Sequence, residues 1–216
     1  MSILSIVSQL GGGLLYTFEI FVCTLVFSLP LGLIVAFVRM SKIKPLQWLA
    51  KFYISIMRGT PLMLQLMMVF FGPYYLFGIQ ITMGYRMIAV MIGFSVNYAA
   101  YFAEIYRGGI ESIGVGQYEA AKLLGYNKVQ TFFYIIFPQV VKRIIPSVTN
   151  EVITLVKDTS LAFVLAVAEM FTIAKQIASS EASMVPYIAA FFIYYIFNLI
   201  VAWLMEKLEN KLNYYR

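Results

Sequence analysis

Long apolar runs separated by short polar segments dominate the chain. Crossing a bilayer takes about 20 apolar residues, and five runs come close to or exceed that length. They lie at about 14–38, 61–77, 87–106, 144–170 and 184–205. The second run is short but opens with Pro61, which suits the first turn of a helix, and the fourth is interrupted by charges. The pattern predicts an all-α integral membrane protein with five transmembrane helices in a single domain, 1–216.

Composition agrees with this class. Of the 216 residues, 62% are hydrophobic and only 12% are charged, and the mean hydropathy is +0.83; soluble domains carry about 25% charged residues. There is no histidine, and the one cysteine, Cys23, cannot form an internal disulfide. A net charge of +6 also fits a nucleic-acid binder, but in so apolar a chain we assign it to cytoplasmic loops and expect no nucleic acid partner.

The distribution of Lys and Arg predicts the orientation. Three segments, 39–58, 107–143 and the tail after 205, hold all of these residues except Arg86, Lys157 and Lys175. Positive residues favour the cytoplasmic side. With five spans, all three segments lie on one side, so we expect the N-terminus outside and the C-terminus in the cytoplasm.

The cytoplasmic segment of about 107–143 contains a short polar helix, predicted over 117–124. Gly125 follows it, and glycine just past a helix end readily adopts positive φ. Two helical turns are not stable alone, so something must pack against them. Ala120 and Ala121 keep the helix thin, while Tyr118 and Leu124 can fill pockets of a partner. An ordinary surface helix lying on the bilayer is the alternative.

Four blocks of sequence resemble a known family. Glu119-Ala120-Ala121, followed by Gly125 and by Ile136-Phe137-Pro138, resembles the EAA coupling motif of bacterial ABC importer membrane subunits. Three more blocks resemble the polar amino acid permeases: Arg58-Gly59-Thr60-Pro61-Leu62, Glu104-Ile105-Tyr106-Arg107-Gly108-Gly109-Ile110, and Asn150-Glu151 with Lys157-Asp158-Thr159-Ser160-Leu161. The blocks follow the family's order. Phe137, where the family often has leucine, is a small departure.

The resemblance implies a permease subunit with the type I importer fold in a bacterial cytoplasmic membrane. It implies a second permease subunit, two cytoplasmic ATPase subunits, and an external protein that delivers an amino acid. Nothing in the chain looks degenerate, so we expect a homodimer surrounded by membrane lipid. The residues expected to couple to the ATPase are Tyr118, Glu119, Ala120, Ala121, Leu124 and Gly125.

The chain is not expected to be an enzyme. It has no phosphate-binding loop of the G-x-x-x-x-G-K-[ST] type, so ATP and Mg²⁺ are expected on the partner ATPase and no cofactor in this chain. It also lacks the histidine that metalloprotease motifs and Ser/His dyads need. If the coupling resemblance misleads, the alternative function is a gradient-driven secondary amino acid transporter or channel.

Glu151, Lys157 and Asp158 interrupt the fourth span. Each charge near the centre of a span costs about 2.5–3.5 kcal/mol. Glu151 and Asp158 fall on nearly the same helix face, about 10 Å apart along the axis. Ser147, Thr154 and Leu155 lie on or near that face. Such a stripe must face protein or a water-filled cavity.

Three interpretations of the two carboxylates remain open. Lys157, with Arg107 or Arg58 of another span, can neutralise them. Alternatively they bind the ammonium group of an amino acid, and they suit a cationic side chain even better. A proton relay is the third. The second interpretation favours arginine, lysine or histidine, although the family motif does not exclude glutamine or cystine.

Asp158, Thr159 and Ser160 are helix N-cap residue types. We therefore predict that the fourth span breaks near Asp158 and that a half-helix begins there. Its positive dipole end would hold the substrate carboxylate.

The third span adds Asn97, with Tyr101 one turn later. Both can line the same cavity, or Asn97 can make an interhelical hydrogen bond. Glu104 and Arg107 are expected to pair structurally.

Overall fold

Every regular element in residues 2–212, the part of the chain that this computed structural model describes, is helical. The helices are α1 (Ile3–Arg39), α2 (Lys44–Gly59), α3 (Leu62–Phe77), α4 (Tyr85–Glu111), α5 (Val115–Leu123), α6 (Lys128–Gln130), α7 (Phe137–Asp158), α8 (Met170–Glu181) and α9 (Val185–Leu212). A π-helical segment, Thr131–Ile136, joins α6 to α7, and a 3₁₀ helix, Thr159–Leu165, follows α7. The predicted all-α class is confirmed. Arg216, which contributed to the predicted orientation, lies outside the described residues.

Three described helices, α1, α4 and α9, are long and apolar enough to cross a membrane by themselves. Two further helix pairs qualify together: α2 with α3, bent by 111°, and Lys128–Leu165 with Met170–Glu181, bent by 57°. Counting each bent pair as one span gives five, the predicted number, but the first pair includes α2, which the sequence prediction placed in a cytoplasmic segment and not in the second span.

The first and last spans are longer than predicted. Helix α1 begins at Ile3 rather than near residue 14, because Ile6 and Leu10 are buried against Met170, Ala174 and Ile177 of α8. Tertiary packing therefore stabilises the helix for several residues before the predicted apolar run. Helix α9 continues through a charged last turn to Leu212.

The fourth span departs most from the prediction. The α-helix does end at Asp158, but the chain continues as the 3₁₀ helix, and the next α-helix begins only at Met170. The hydroxyls of Thr159 and Ser160 donate to backbone carbonyls three residues earlier instead of capping a new helix. The predicted half-helix start at Asp158 is therefore wrong.

Close helix crossings hold the bundle together. A Cβ added at Gly32 of α1 would lie 2.8 Å from the Cβ of Phe102 and 3.0 Å from the carbonyl oxygen of Ala99, both on α4. Small residues let membrane helices approach in this way. The N-terminal part of α1 crosses α8 equally closely, since a Cβ at Gly13 would lie 2.7 Å from the Cα of Met170. Helix α1 therefore connects α4 with α8.

Candidate functional site

Helix α7 presents the two predicted carboxylates. Asp158, its last residue, is half-buried and accepts a hydrogen bond from the phenol of Tyr98 on α4, with 2.7 Å between the oxygens. Glu151 is also half-buried, and its charge interacts with Asp158 and with Arg58 at the end of α2. The carboxylates therefore face α4 and α2 rather than a fully apolar surface.

Arg58 and two tyrosines complete this group. The guanidinium carbon of Arg58 lies 5.2 Å from the ring centre of Tyr101, a cation–π contact. The ring of Tyr101 lies 6.0 Å from that of Tyr98. A continuous row thus leads from Arg58 through the tyrosines to Asp158, with Glu151 within its electrostatic range. We call these five residues the charged cluster.

Asn97 is buried and spans the bend between α2 and α3. Its amide nitrogen donates to the carbonyl oxygen of Met57 and to the side-chain oxygen of Gln65, at 2.9 Å each. The amide nitrogen of Gln65 in turn donates to Met57 and to the backbone and hydroxyl oxygens of Thr60. We call residues 57–65, held in this way, the α2–α3 elbow. Asn97 thus makes the interhelical hydrogen bond that was one of its two expected roles.

The other predicted substrate residues lie in different surroundings. Thr154 is half-buried on α7, and Ser147 is exposed in a cleft that Glu104 and Arg143 also line. Leu155 is fully buried in the main core, so the structure does not bring its side chain to the charged cluster. Helical spacing placed Leu155 near the polar face, but it lies just past the boundary of that face.

Arg107 does not neutralise either carboxylate of the cluster. It pairs with Glu104 at 2.6 Å and with Glu111 at 2.5 Å, and Arg39 of α1 lies 3.8 Å from Glu104. The predicted Glu104–Arg107 pair is confirmed. Lys157 is exposed, and its charge acts on Asp158, so partial neutralisation from that side remains.

The N-terminus of α8 is occupied by a side chain of this protein. Glu169 is 0% exposed, and its carboxylate accepts from the backbone nitrogens of Phe171 and Thr172 at 2.7 and 2.6 Å. The hydroxyls of Thr172 and Tyr194 donate to the same carboxylate. The backbone donors at the start of this half-helix, which begins at Met170 and not near Asp158 as predicted, are therefore already paired. Sequence reasoning missed this cap because glutamate is not among the favoured N-cap residues.

Helix α5 ends as the sequence predicted. Gly125 has φ +80°, its N–H donates to Lys122, and the N–H of Tyr126 donates to Ala121. This is the Schellman pattern, in which both bonds satisfy carbonyls of the last turn. The chain therefore leaves the helix sharply, and Leu123 and Leu124 are held 89% and 74% exposed beside the turn.

The two alanines of α5 differ in burial. Ala121 is only 1% exposed, whereas Glu119 and Ala120 are exposed. Tyr118 is 38% exposed, and partial burial raises the pKa of its phenol. It is thus a neutral hydrogen-bonding group at physiological pH. One face of α5 packs on the chain itself, and the other presents Tyr118, Glu119, Ala120 and the two leucines.

Helix α5 is connected to the charged cluster by one long helical segment. Its inner face packs on the π-helical segment, and Gln139 of α7 donates to Gln117 of α5. Arg143 of α7 donates to Ser112, just before α5. From Lys128 to Leu165 the helical path has no interruption. Movement of α5 can therefore reach Glu151 and Asp158 through α7.

Four residues with functional or positioning roles were not identified as such from the sequence. Arg58 and Tyr98 stood near recognised positions but were not given a role in binding, and Gln65 and Glu169 were missed. Gln65 is a buried polar residue in an apolar run, and Glu169 is the third acid of the interrupted span. Unpaired polar groups in such places carry a large free-energy cost, which is the signal that could have identified them.

Comparison with known proteins gives one consistent result. Residues 28–214 match the family described as binding-protein-dependent transport system inner membrane component. The chain is 39% identical to the L-cystine transport system permease protein TcyB of Bacillus subtilis (strain 168), over 95% of this chain and 87% of that protein. It is 37% identical to the arginine transport system permease protein ArtQ of the same organism, over 93% and 90%.

A solved structure is similar across nearly the whole chain. It is described as the crystal structure of an amino acid ABC transporter with histidines, and the TM-score is 0.87 at 32% identity. The match covers 98% of this chain and 99% of the other. The fold and the family therefore agree.

Proposed function

The chain belongs to the family of binding-protein-dependent transport system inner membrane components, as a permease of an amino acid ABC transporter, and from this premise we propose how it works in an importer. Its partners are an ATPase, which is a separate subunit, and an external substrate-binding protein. We infer a homodimer in a bacterial cytoplasmic membrane, with the N-terminus outside and α5 in the cytoplasm. ATP and Mg²⁺ bind to the ATPase.

The observation that carries the proposal is the exposed face of α5. A two-turn helix that ends in a Schellman turn holds Leu123 and Leu124 out of the chain's own packing. Exposed leucines beside a rigid turn fit a pocket on a partner, and burying each contributes about 1.5–3 kcal/mol. The ATPase binds this face of α5 through Tyr118, Glu119, Ala120, Leu124 and the turn at Gly125. Ala121 packs against the permease itself.

The coupling then follows the helical path. Closure of the ATPase dimer on ATP moves the α5 helices of the two permease copies together. Each α5 is attached to α7 through the π-helical segment and the Gln117–Gln139 contact, so α7 tilts with it. The charged cluster at the far end of α7 changes its access from one side of the membrane to the other.

The charged cluster is the internal substrate site in this proposal. Glu151 and Asp158 receive the cationic groups of an amino acid, with Tyr101, Thr154 and Ser147 along the path. The two carboxylates favour polar or cationic amino acids such as arginine, lysine and histidine, although Lys157 partly offsets the charge of Asp158. Similarity to permeases named for cystine and for arginine supports an amino acid substrate.

Native mass spectrometry of the tagged chain, purified gently from its own membranes, tests the assembly. We expect two permease copies with two ATP-binding subunits, and any retained small mass identifies the substrate. If the chain is found alone or only with itself, α5 is a surface helix lying on the bilayer. A gradient-driven transporter then becomes the better explanation, and uptake without ATP in vesicles would establish it.

Glu151→Gln and Asp158→Asn test the site. Each variant is expected to weaken binding of the retained amino acid to the detergent-purified transporter. Glu19→Gln, an exposed acid on α1, is the matched control. Unchanged affinity in both cluster variants removes the internal site from the proposal while leaving the ATPase coupling intact.

A further inference from the structure

An amino acid carries a carboxylate as well as an ammonium group, and the charged cluster must also accommodate this anion. The half-helix that follows the break in the fourth span begins at Met170, and its N-terminus is not free, because Glu169 takes the N–H groups of Phe171 and Thr172. A second carboxylate beside that buried one would be repelled. The carboxylate of the substrate therefore needs another partner.

Arg58 is the cation of the charged cluster, and it can bind the carboxylate of the substrate. Its side chain is exposed at the end of α2, and its guanidinium carbon lies 5.2 Å from the ring centre of Tyr101. Among the described residues it has neither a hydrogen bond from its guanidinium nor an ion pair. A guanidinium presents its N–H donors as a planar fork, and that edge matches a carboxylate in two-point geometry.

Arg58 and Glu151 are oppositely charged members of the charged cluster. Their charges interact, yet they do not form a direct ion pair. A cation and an anion held apart in this way can be bridged by a zwitterion that presents its carboxylate to Arg58 and its ammonium to Glu151. Asp158, fixed by Tyr98, then remains for a polar or cationic side chain.

The α2–α3 elbow fixes the backbone beside Arg58. Asn97 and Gln65 both donate to the carbonyl of Met57, the residue before Arg58, and Gln65 ties Thr60 to the same point. A buried amide that satisfies a backbone carbonyl at a helix bend restricts the bend to one geometry. Asn97 therefore limits where the guanidinium of Arg58 can reach.

We propose that Arg58 binds the α-carboxylate of the transported amino acid and that Asn97 is a positioning residue for it. This inference rests on the proposed function, because it presumes that the charged cluster is the substrate site. It assigns the site a preference for whole α-amino acids over amines or amides that lack the carboxylate. Selection at this site is then independent of the external binding protein.

The test compares the binding of each amino acid with the binding of its α-carboxamide, in which an uncharged amide replaces the carboxylate. The purified permease–ATPase complex in lipid nanodiscs, without the external binding protein, is titrated with L-arginine, L-histidine, L-glutamine and L-cystine and with their α-carboxamides. The measured quantity is the ratio of acid to amide affinity. Losing a charge-assisted contact corresponds to about a 10-fold to 100-fold change, so we expect the acid to be preferred by at least the lower figure in the unaltered protein.

Arg58→Gln is expected to reduce that ratio to near one, and Arg58→Lys to restore part of it. Asn97→Ala, which frees the elbow, should reduce the ratio severalfold, whereas a purely structural role would lower acid and amide binding equally. Arg86→Gln, a substitution of an arginine outside the cluster, is the control and should leave the ratio unchanged.

The outcomes separate the two proposals. If the unaltered complex binds none of the four amino acids, the proposal of an internal substrate site is refuted. If it binds an acid and Arg58→Gln keeps the same acid preference, the role of Arg58 is refuted and the site stands. Dissociation of the permease dimer in Arg58→Gln, with the ratio retained in what remains, would show that Arg58 pairs with a second copy instead.

Discussion

The phenol of Tyr98 donates a hydrogen bond to the carboxylate of Asp158, with 2.7 Å between the two oxygens. Tyr98 lies in the middle of α4, and Asp158 is the last residue of α7, 60 positions later. This bond joins the helix that carries the acids to the helix that carries Asn97 and Tyr101. It also orients one carboxylate of the charged cluster before any substrate arrives, and such preorganisation increases affinity.

Tyr98→Phe should therefore weaken transport more than it weakens the fold. The phenylalanine ring fills the same buried space, and losing the hydrogen bond costs about 0.5–1.5 kcal/mol. With Asp158 free to rotate, we expect a severalfold lower apparent affinity for the transported amino acid in proteoliposomes. Tyr106→Phe is the control, because Tyr106 is half-buried on the same helix and its hydroxyl donates to no described residue. Equal affinities in the two variants would contradict the role of the hydrogen bond.

Sequence patterns predicted those features of the structure that are determined by neighbouring residues. The lengths of the apolar runs located most of the spans. A glycine after a short polar helix predicted the turn at Gly125, because its positive φ and its hydrogen bond to Lys122 lie within one turn of the chain. Contacts between segments that are distant in sequence could not be predicted in this way. Nothing near Asn97 in sequence indicates Met57 as its partner, and nothing near Asp158 indicates Tyr98. The α8 start was missed because tertiary burial of Glu169 stabilises an uncommon cap.

Gly125→Ala tests the turn that ends α5. A Cβ there meets no atom within 4 Å, so the cost comes from φ +80°, about 1–2 kcal/mol for a residue with a side chain. The strain falls on α5 and not on the transmembrane core, so we expect normal expression and reduced ATP-driven uptake. Gly125→Asp should behave likewise.

Gly12→Ala is the matched substitution for this prediction. Gly12 also has open space around it, but it lies inside α1 without a positive φ, where alanine is favoured over glycine. Normal uptake in this variant and reduced uptake in Gly125→Ala isolate the turn. Full uptake by both would mean that α5 transmits no force through this end.

Leu124→Ser should weaken binding of the ATPase without unfolding the permease. The side chain is 74% exposed in the chain itself, so little internal packing is lost. If it fills an ATPase pocket, removing it lowers affinity by about 10-fold or more. Co-purification of the ATPase with tagged permease measures the effect. Leu4→Ser, an 81% exposed leucine at the start of α1, should retain the full amount of ATPase, and equal retention by both variants would argue against docking at α5.

Glu169→Gln should destabilise the protein more than any other single carboxylate-to-amide change outside the charged cluster. The buried carboxylate accepts from two backbone N–H groups and from the hydroxyls of Thr172 and Tyr194. A glutamine amide replaces one acceptor oxygen with a donor, which meets other donors, and a lost bond to a charged group costs about 1.5–3 kcal/mol. The apparent melting temperature in detergent should fall clearly, whereas Glu19→Gln should leave it unchanged. An unchanged melting temperature in Glu169→Gln would mean that this terminus tolerates a neutral cap and that the Glu169 carboxylate contributes little to stability.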